Sequence, residues 1–188
     1  RGRALRVQEL QQEDLRRRES ARQQHAWEAA SSPPTTPVTW TLIGIAVLVT
    51  VAMSFGNYGG FADTWLYFQS VAREGVMLRY DPSLPWSEPW RFVTPIFIHA
   101  SLSGGGIGFL HILFNVLWMK DLGRTIEVAH SGRYLLVFVV VCGALSNTMQ
   151  FLIQGPLFGG LSGVVYGLLA LIWVRGRLDP RARYAVPQ

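Results

Sequence analysis

Cysteine is nearly absent: Cys142 is the single one in the chain. One thiol cannot close an intrachain disulfide, and no cysteine-based metal site is suggested. Charge is scarce too. Asp, Glu, Lys and Arg make up 15% of the residues, and none occurs from Ser31 to Ala62 or from Tyr134 to Val174. Runs of that length read as membrane spans, because ~20 mostly apolar residues cross a hydrocarbon core about 30 Å thick. The net charge of +5 does not point to nucleic acid, since the basic residues flank the apolar runs, which is a topology signal. No cleavable signal peptide is visible, and a chain that opens on Arg1 and closes on Gln188 in a loop-like stretch is expected to be part of a longer one. The run Gly160-Leu161-Ser162-Gly163 has no strand before it. That excludes the nucleophile elbow of a soluble hydrolase, which reads G-x-S-x-G after a strand.

What is present is a succession of apolar segments. Residues 1–30 carry seven Arg against five acids and predict a solvent-exposed or membrane-surface helix, broken by the linker "SSPPTTP". A first span is expected over 38–55, with Pro37 as a helix-start residue and Trp40 at the interface. Residues 56–106 are too long for a tight connection and too aromatic for a free linker, so a structured loop that partly enters the bilayer surface is expected. Within it, "FADTWLYFQSVAREGVMLRY", 61–80, has helix-like apolar spacing and predicts an interfacial helix. Further spans are expected over 107–123, 134–153 and 161–174, joined by a loop "RTIEVAHSGR" and a Gly-Pro turn at 154–160. Lys and Arg are densest in the N-terminal segment, the 120–133 loop and the tail, which places these in the cytoplasm and the aromatic loop and Gly-Pro turn outside. The fold class is all-α, a polytopic transmembrane helical bundle. The expected division is a cytoplasmic segment and linker over 1–37, a membrane domain over 38–178, and the start of a cytoplasmic loop over 179–188.

Polar residues inside the apolar runs are functional candidates. Ser162 opens the fourth span, which at 14 residues covers only about 21 Å of a ~30 Å core. Its outer end therefore stops below the surface, where non-helical backbone implies a wet pocket. A helix N-terminus also offers free N–H groups and a favourable dipole. Glycines around the serine allow close backbone approach. An acyl-transfer nucleophile with a built-in oxyanion donor needs this arrangement. His111 and Asn115 in "HILFN" stand at i and i+4 on one helix face, at comparable depth, and both offer N–H donors.

Plainer readings stand beside these. Gly159, Gly163 and Gly167 form a small-residue stripe that lets helices approach, and Ser162 beside it, taken alone, reads as packing before catalysis. His111, Asn115, Asn147 and Gln150 read also as interhelical hydrogen-bond glue. Tyr166 reads as packing with a wetted hydroxyl, His99 as a ligand of loop backbone, and His25 and His130 as solvated.

Taken together, "GGLSGVVYG" after "GPLFGG", "HILFN", "PWRFVTPIFIHA", "PVTWTLIGI" and "LGRTIE" resemble the rhomboid family of intramembrane serine proteases, in its bacterial GlpG-type form. The likeness covers roughly residues 37–180 and four of the family's six core spans. It implies Ser162 as nucleophile, and His111 and Asn115 with the Ser162 N–H as oxyanion donors. Gly160 and Gly163 complete the motif, and Tyr166 packs against the catalytic histidine. Trp90 and Arg91 match a structural pair of the first loop, and His99 matches a loop histidine that is not the base. Two departures stand out. "SGGGIG", 103–108, reads as an insertion that adds flexibility beside His111. The family's general-base histidine lies on a sixth span, and none of the four histidines matches it, so these residues alone are not expected to turn over. The resemblance implies cleavage of transmembrane protein substrates near the outer face of a bacterial inner membrane, with no cofactor, metal or nucleic acid. The rival readings are a catalytically inactive rhomboid-like protein that binds membrane clients, and a small transporter or channel subunit.

Overall fold

Helix formation begins where the apolar run meets proline. The structure, a computed structural model, describes residues 34–56, 59–75, 77–102 and 106–178. The chain divides into two units, Arg1–Thr35 and Thr36–Gln188, and almost all the described residues belong to the second. The expected surface helix over 1–30 with His25, the first three residues of the linker after it, residues 103–105 and the tail from 179 lie outside the described residues.

Helix α1, Pro37–Phe55, starts on proline, whose missing N–H is no loss there. Its next donors are satisfied from far along the chain. The Val38 and Thr39 amides donate to the two carboxylate oxygens of Glu127 at 2.9 and 2.8 Å, and the Thr39 hydroxyl adds a third bond of 2.7 Å. A buried carboxylate at a helix N-terminus satisfies otherwise orphaned N–H groups and faces the positive end of the dipole. Glu127→Gln keeps the shape but turns one acceptor into a donor facing donors. It is expected to lower stability by about 1–3 kcal/mol, read as an earlier thermal unfolding transition in detergent.

The segment after α1 departs from the expected interfacial helix over 61–80. Helical turns end at Leu66, after a π turn Ala62–Leu66, and the chain then folds into a hairpin of β1, Ala72–Glu74, and β2, Met77–Arg79. The reason is an ion pair at non-helical spacing. Arg73 donates twice to the Asp63 carboxylate, at 2.7 and 2.8 Å, and Val71 N–H donates to the Asp63 carbonyl at 2.9 Å. Gly75 takes φ +65° and turns the hairpin. Phe68, fully buried, stacks on Phe151 and meets Phe92 edge-on, so the loop aromatics build a small core of their own. Two 3-10 turns, Pro89–Phe92 and Thr94–Phe97, carry the chain back towards α1.

Helix α2, Gly106–Trp118, runs through a π turn, Met119–Gly123, into α3, Arg124–Ala129. The stretch expected as a loop from Arg124 is therefore helical as far as Ala129, since this continuation is what carries Glu127 to the start of α1. Helix α4, Gly132–Gln154, is capped by Ser131 and ends at Gly155, φ +79°. Helix α5, Ser162–Leu178, runs past the expected end at Val174, with Arg175 and Arg177 in its last turn. Of these helices, α1 and α4 are long and apolar enough to cross a membrane.

The bundle closes on a core that includes Leu42, Ala46, Ile96, Leu135, Val164 and Leu168. Its outside is also apolar: Leu48, Phe55, Val137, Leu152 and Ile153 are exposed, as expected where lipid replaces water as solvent. Glycine sets how closely α5 meets α4. A Cβ at Gly163 would collide with Ser146, and one at Gly167 with Cys142. Gly159 instead lies against Ile98 and the Pro95 carbonyl. Asn147 ties α4 to the loop through Phe92 O at 2.8 Å. Gln150 is half-buried and bonds Gln154 within its own helix, so this bond is not interhelical glue.

Candidate active site

The site is built where the chain returns from α4 to α5. Gly155 and Pro156 stop α4, because the positive φ and the proline that follows cannot continue a helix. The returning segment, 159–161, is then stitched to the loop 95–99. Gly160 N–H donates to Pro95 O at 3.0 Å, and Leu161 N–H donates to His99 Nε2 at 3.3 Å. Gly160 has φ +127°, a conformation that L side chains rarely adopt. A Cβ built there would lie 3.1 Å from His111 Cε1 and Nε2 and 3.7 Å from Ser162 Oγ. The bare face of this glycine thus borders both groups, and a side chain there would be strained in its backbone and tight against His111.

Leu161 C=O accepts the Val165 N–H at 2.9 Å, so α5 begins with Ser162 as its first helical residue. The N–H groups of this first turn have no intrahelical partner. The Ser162 hydroxyl, half-buried, has no hydrogen-bond partner among the described residues. Opposite, α2 carries His111 and the buried Asn115 one turn apart, and Asn115 Nδ2 donates to His111 O at 2.9 Å. A cavity of about 380 Å³ opens between α2 and α5, lined by His111, Asn115, Trp118, Ser162, Tyr166 and Leu169 among others.

The structure thus brings Ser162, His111, Asn115 and Tyr166 to one cavity, with Gly160 at its edge. Gly163 is not at the cavity; its smallness serves the contact with Ser146. Tyr166 is 71% exposed, and no described histidine covers that outer side of its ring. Trp90 lies tilted on Trp65, 6.4 Å between ring centroids, whereas Arg91 is buried and bonds four loop residues. His130 is exposed as expected but not merely solvated: Arg175 meets its Nε2 at 2.7 Å and Tyr134 lies under its ring. Sequence reasoning missed the bond from Leu161 to His99, made across 62 residues, and no local pattern announces it. It also missed the Trp118 and Leu169 lining, which the helical period at i+3 and i+7 from Asn115 and Ser162 does contain.

Helical architecture and an apolar exterior define a membrane-embedded helical bundle, in which a serine at a helix start shares one cavity with a histidine and an asparagine. The Rhomboid domain pattern matches residues 87–187, more than half of the chain. The chain belongs to the rhomboid family. It is similar to the Rhomboid protease GlpG of Salmonella choleraesuis, of Salmonella newport and of Salmonella typhimurium. In each case the identity is 40% over 147 residues, covering 78% of this chain and 46% of the relative. The chain spans about half the length of the curated relatives it matches.

Proposed function

We propose that Ser162 is the nucleophile of an intramembrane serine endopeptidase, and that this chain carries the nucleophile and oxyanion half of its site. The observation that carries this reading is an unpartnered hydroxyl at the start of α5, opening on the same cavity as His111 and Asn115. Ser162 Oγ attacks a peptide carbonyl and its proton passes to a base. The carbonyl oxygen gains charge opposite the Ser162 N–H and the side-chain N–H groups of His111 and Asn115, where preformed donors lower the barrier most. The base then protonates the leaving amine.

Neither of the other two described histidines serves as that base. Both His99 nitrogens are engaged. His130 meets Arg175 near the far end of α5, about 20 Å from Ser162 at 1.5 Å per residue. The substrates are transmembrane proteins cut near the outer face, with water entering from the cavity. Residues 38–178 form the membrane domain, which crosses a bacterial inner membrane four times with the N-terminal segment, 1–37, in the cytoplasm.

The test is covalent labelling. Full-length protein in detergent is treated with a fluorophosphonate probe and the modified peptide is mapped by mass spectrometry. The adduct is expected on Ser162; a folded protein that takes no label, or takes it on another serine, overturns the reading. Asn115→Ala is expected to lower kcat about 10²-fold with little change in KM, the signature of a lost oxyanion donor. Steady-state cleavage of a reconstituted transmembrane substrate checks this.

A further inference from the structure

We propose that His99 is a positioning residue for Ser162, acting as a neutral hydrogen-bond acceptor that fixes the backbone just ahead of the nucleophile. The inference rests on the reading of Ser162 as nucleophile and concerns how that serine is held.

The argument starts with the ring's tautomer. His99 is buried, and its Nδ1 lies 3.3 Å from Phe97 O and 3.3 Å from Thr50 Oγ1. A carbonyl can only accept. The Thr50 hydroxyl spends its own hydrogen on Ala46 O at 2.7 Å, so towards His99 it accepts as well. Nδ1 therefore carries the proton, and Nε2 is bare. Bare Nε2 is what Leu161 N–H finds at 3.3 Å. The network admits this one tautomer, and it joins α1, the loop and the start of α5 through a single ring.

Two consequences follow for the site. Two consecutive peptide N–H groups are pinned, that of Gly160 by Pro95 O and that of Leu161 by His99 Nε2, so the backbone leading to the Leu161 carbonyl that begins α5 is held in place. The rotation of Ser162 about the cavity is then set by His99. The Leu161 N–H is also taken out of the set of free donors, so any backbone contribution to an oxyanion site comes from the first turn of α5, beginning with the Ser162 N–H.

Acid should release the clamp. A protonated ring would present an Nε2–H to the Leu161 N–H, donor against donor. Burial, and then the neighbouring His111, push the His99 pKa down to about 4. His111, 5.3 Å away between ring centroids, is the titratable group that faces it among the described residues. The neutral clamp therefore holds at physiological pH. Because the unfolded imidazole binds its proton more readily, the bond's contribution to stability falls as pH drops from about 6.5 towards 4.

The experiment compares full-length protein with His99→Phe, which fills the space without an acceptor, and His99→Gln, whose amide can accept from Leu161 and donate to Phe97. His99→Phe is expected to lower kcat and the fluorophosphonate labelling rate by about 10²-fold, with KM little changed, as a misplaced nucleophile does. It is also expected to speed amide hydrogen exchange at Leu161. His99→Gln is expected to recover most of both. Equal labelling and equal exchange in wild type and His99→Phe overturn the proposal while leaving Ser162 as nucleophile, and so does a His99→Gln variant as impaired as His99→Phe. Wild type that never labels at Ser162 overturns the catalytic part, whereas the exchange result still reports on the clamp. If His99→Phe does not fold, the nitrogen chemical shifts of the wild-type ring decide: an Nδ1–H tautomer is expected, and an Nε2–H tautomer overturns the proposal.

Discussion

Ser162→Ala is expected to lower peptide-bond cleavage by at least about 10⁴-fold, because deleting a nucleophile leaves only the contribution of binding and oxyanion stabilisation. The same substitution should leave the fold almost untouched. The hydroxyl has no partner among the described residues, so its removal orphans no buried donor or acceptor. Alanine is also favourable at the first position of a helix, and the stability change is expected to stay within about 0.5 kcal/mol. A large loss of activity at constant stability separates a chemical role from a packing one. The measurement is single-turnover cleavage of a transmembrane substrate in liposomes, with thermal unfolding of the same preparations alongside. Cleavage that survives in Ser162→Ala would remove the serine from the mechanism and return "GGLSGVVYG" to helix packing alone.

Arg91→Ala should have the largest effect on stability, a loss of about 3–5 kcal/mol, the range found when one partner of a buried ionic network is deleted. Arg91 is 1% exposed. Its Nε donates to Glu88 Oε2 at 2.7 Å, one terminal nitrogen donates to Tyr67 O at 2.9 Å, and the other reaches both Thr64 O and Ser70 Oγ. These partners come from two separate pieces of the loop, residues 64–70 and Glu88. Removing the guanidinium leaves two backbone carbonyls and a carboxylate without their donors. Arg91→Lys is expected to recover less than half of the loss, since one ammonium cannot reproduce a planar fork aimed at four acceptors. A fall in Tm of about 10 °C follows from the usual relation for chains of this size. Because the loop 95–99 holds Gly160 and Leu161, activity at moderate temperature should fall as well. An unchanged Tm in Arg91→Ala would show that the loop is held by its aromatic contacts, Phe68 on Phe151 and Phe92, rather than by the arginine.

The helices were legible in the sequence because their cause is local. Charge-free apolar runs, a proline at Pro37 and a Gly-Pro break after Gln154 act over a few residues, and they mark α1 and α4 to within a residue or two. The pairing of His111 with Asn115 on one face is likewise a property of the helical period. The hairpin at Ala72–Arg79 was not legible, because the apolar spacing of 61–80 suits a helix and is overruled by an ion pair from Asp63 to Arg73. Nor was the helical course of Arg124–Ala129, whose glutamate finds its partners 88 and 89 residues away at the start of α1.

By itself, then, the sequence determined a membrane-embedded helical bundle of the rhomboid family, with a serine at the start of one helix and a histidine and asparagine on one face of another. The tertiary structure alone decided that these face a common cavity. It also decided that Gly160 leaves room between them, and that His99 holds Leu161 from a loop 62 residues earlier. The physical reason is the range of the interactions. Hydrophobic periodicity and capping are written in neighbouring residues, whereas a hydrogen bond between distant segments depends on how every intervening element packs.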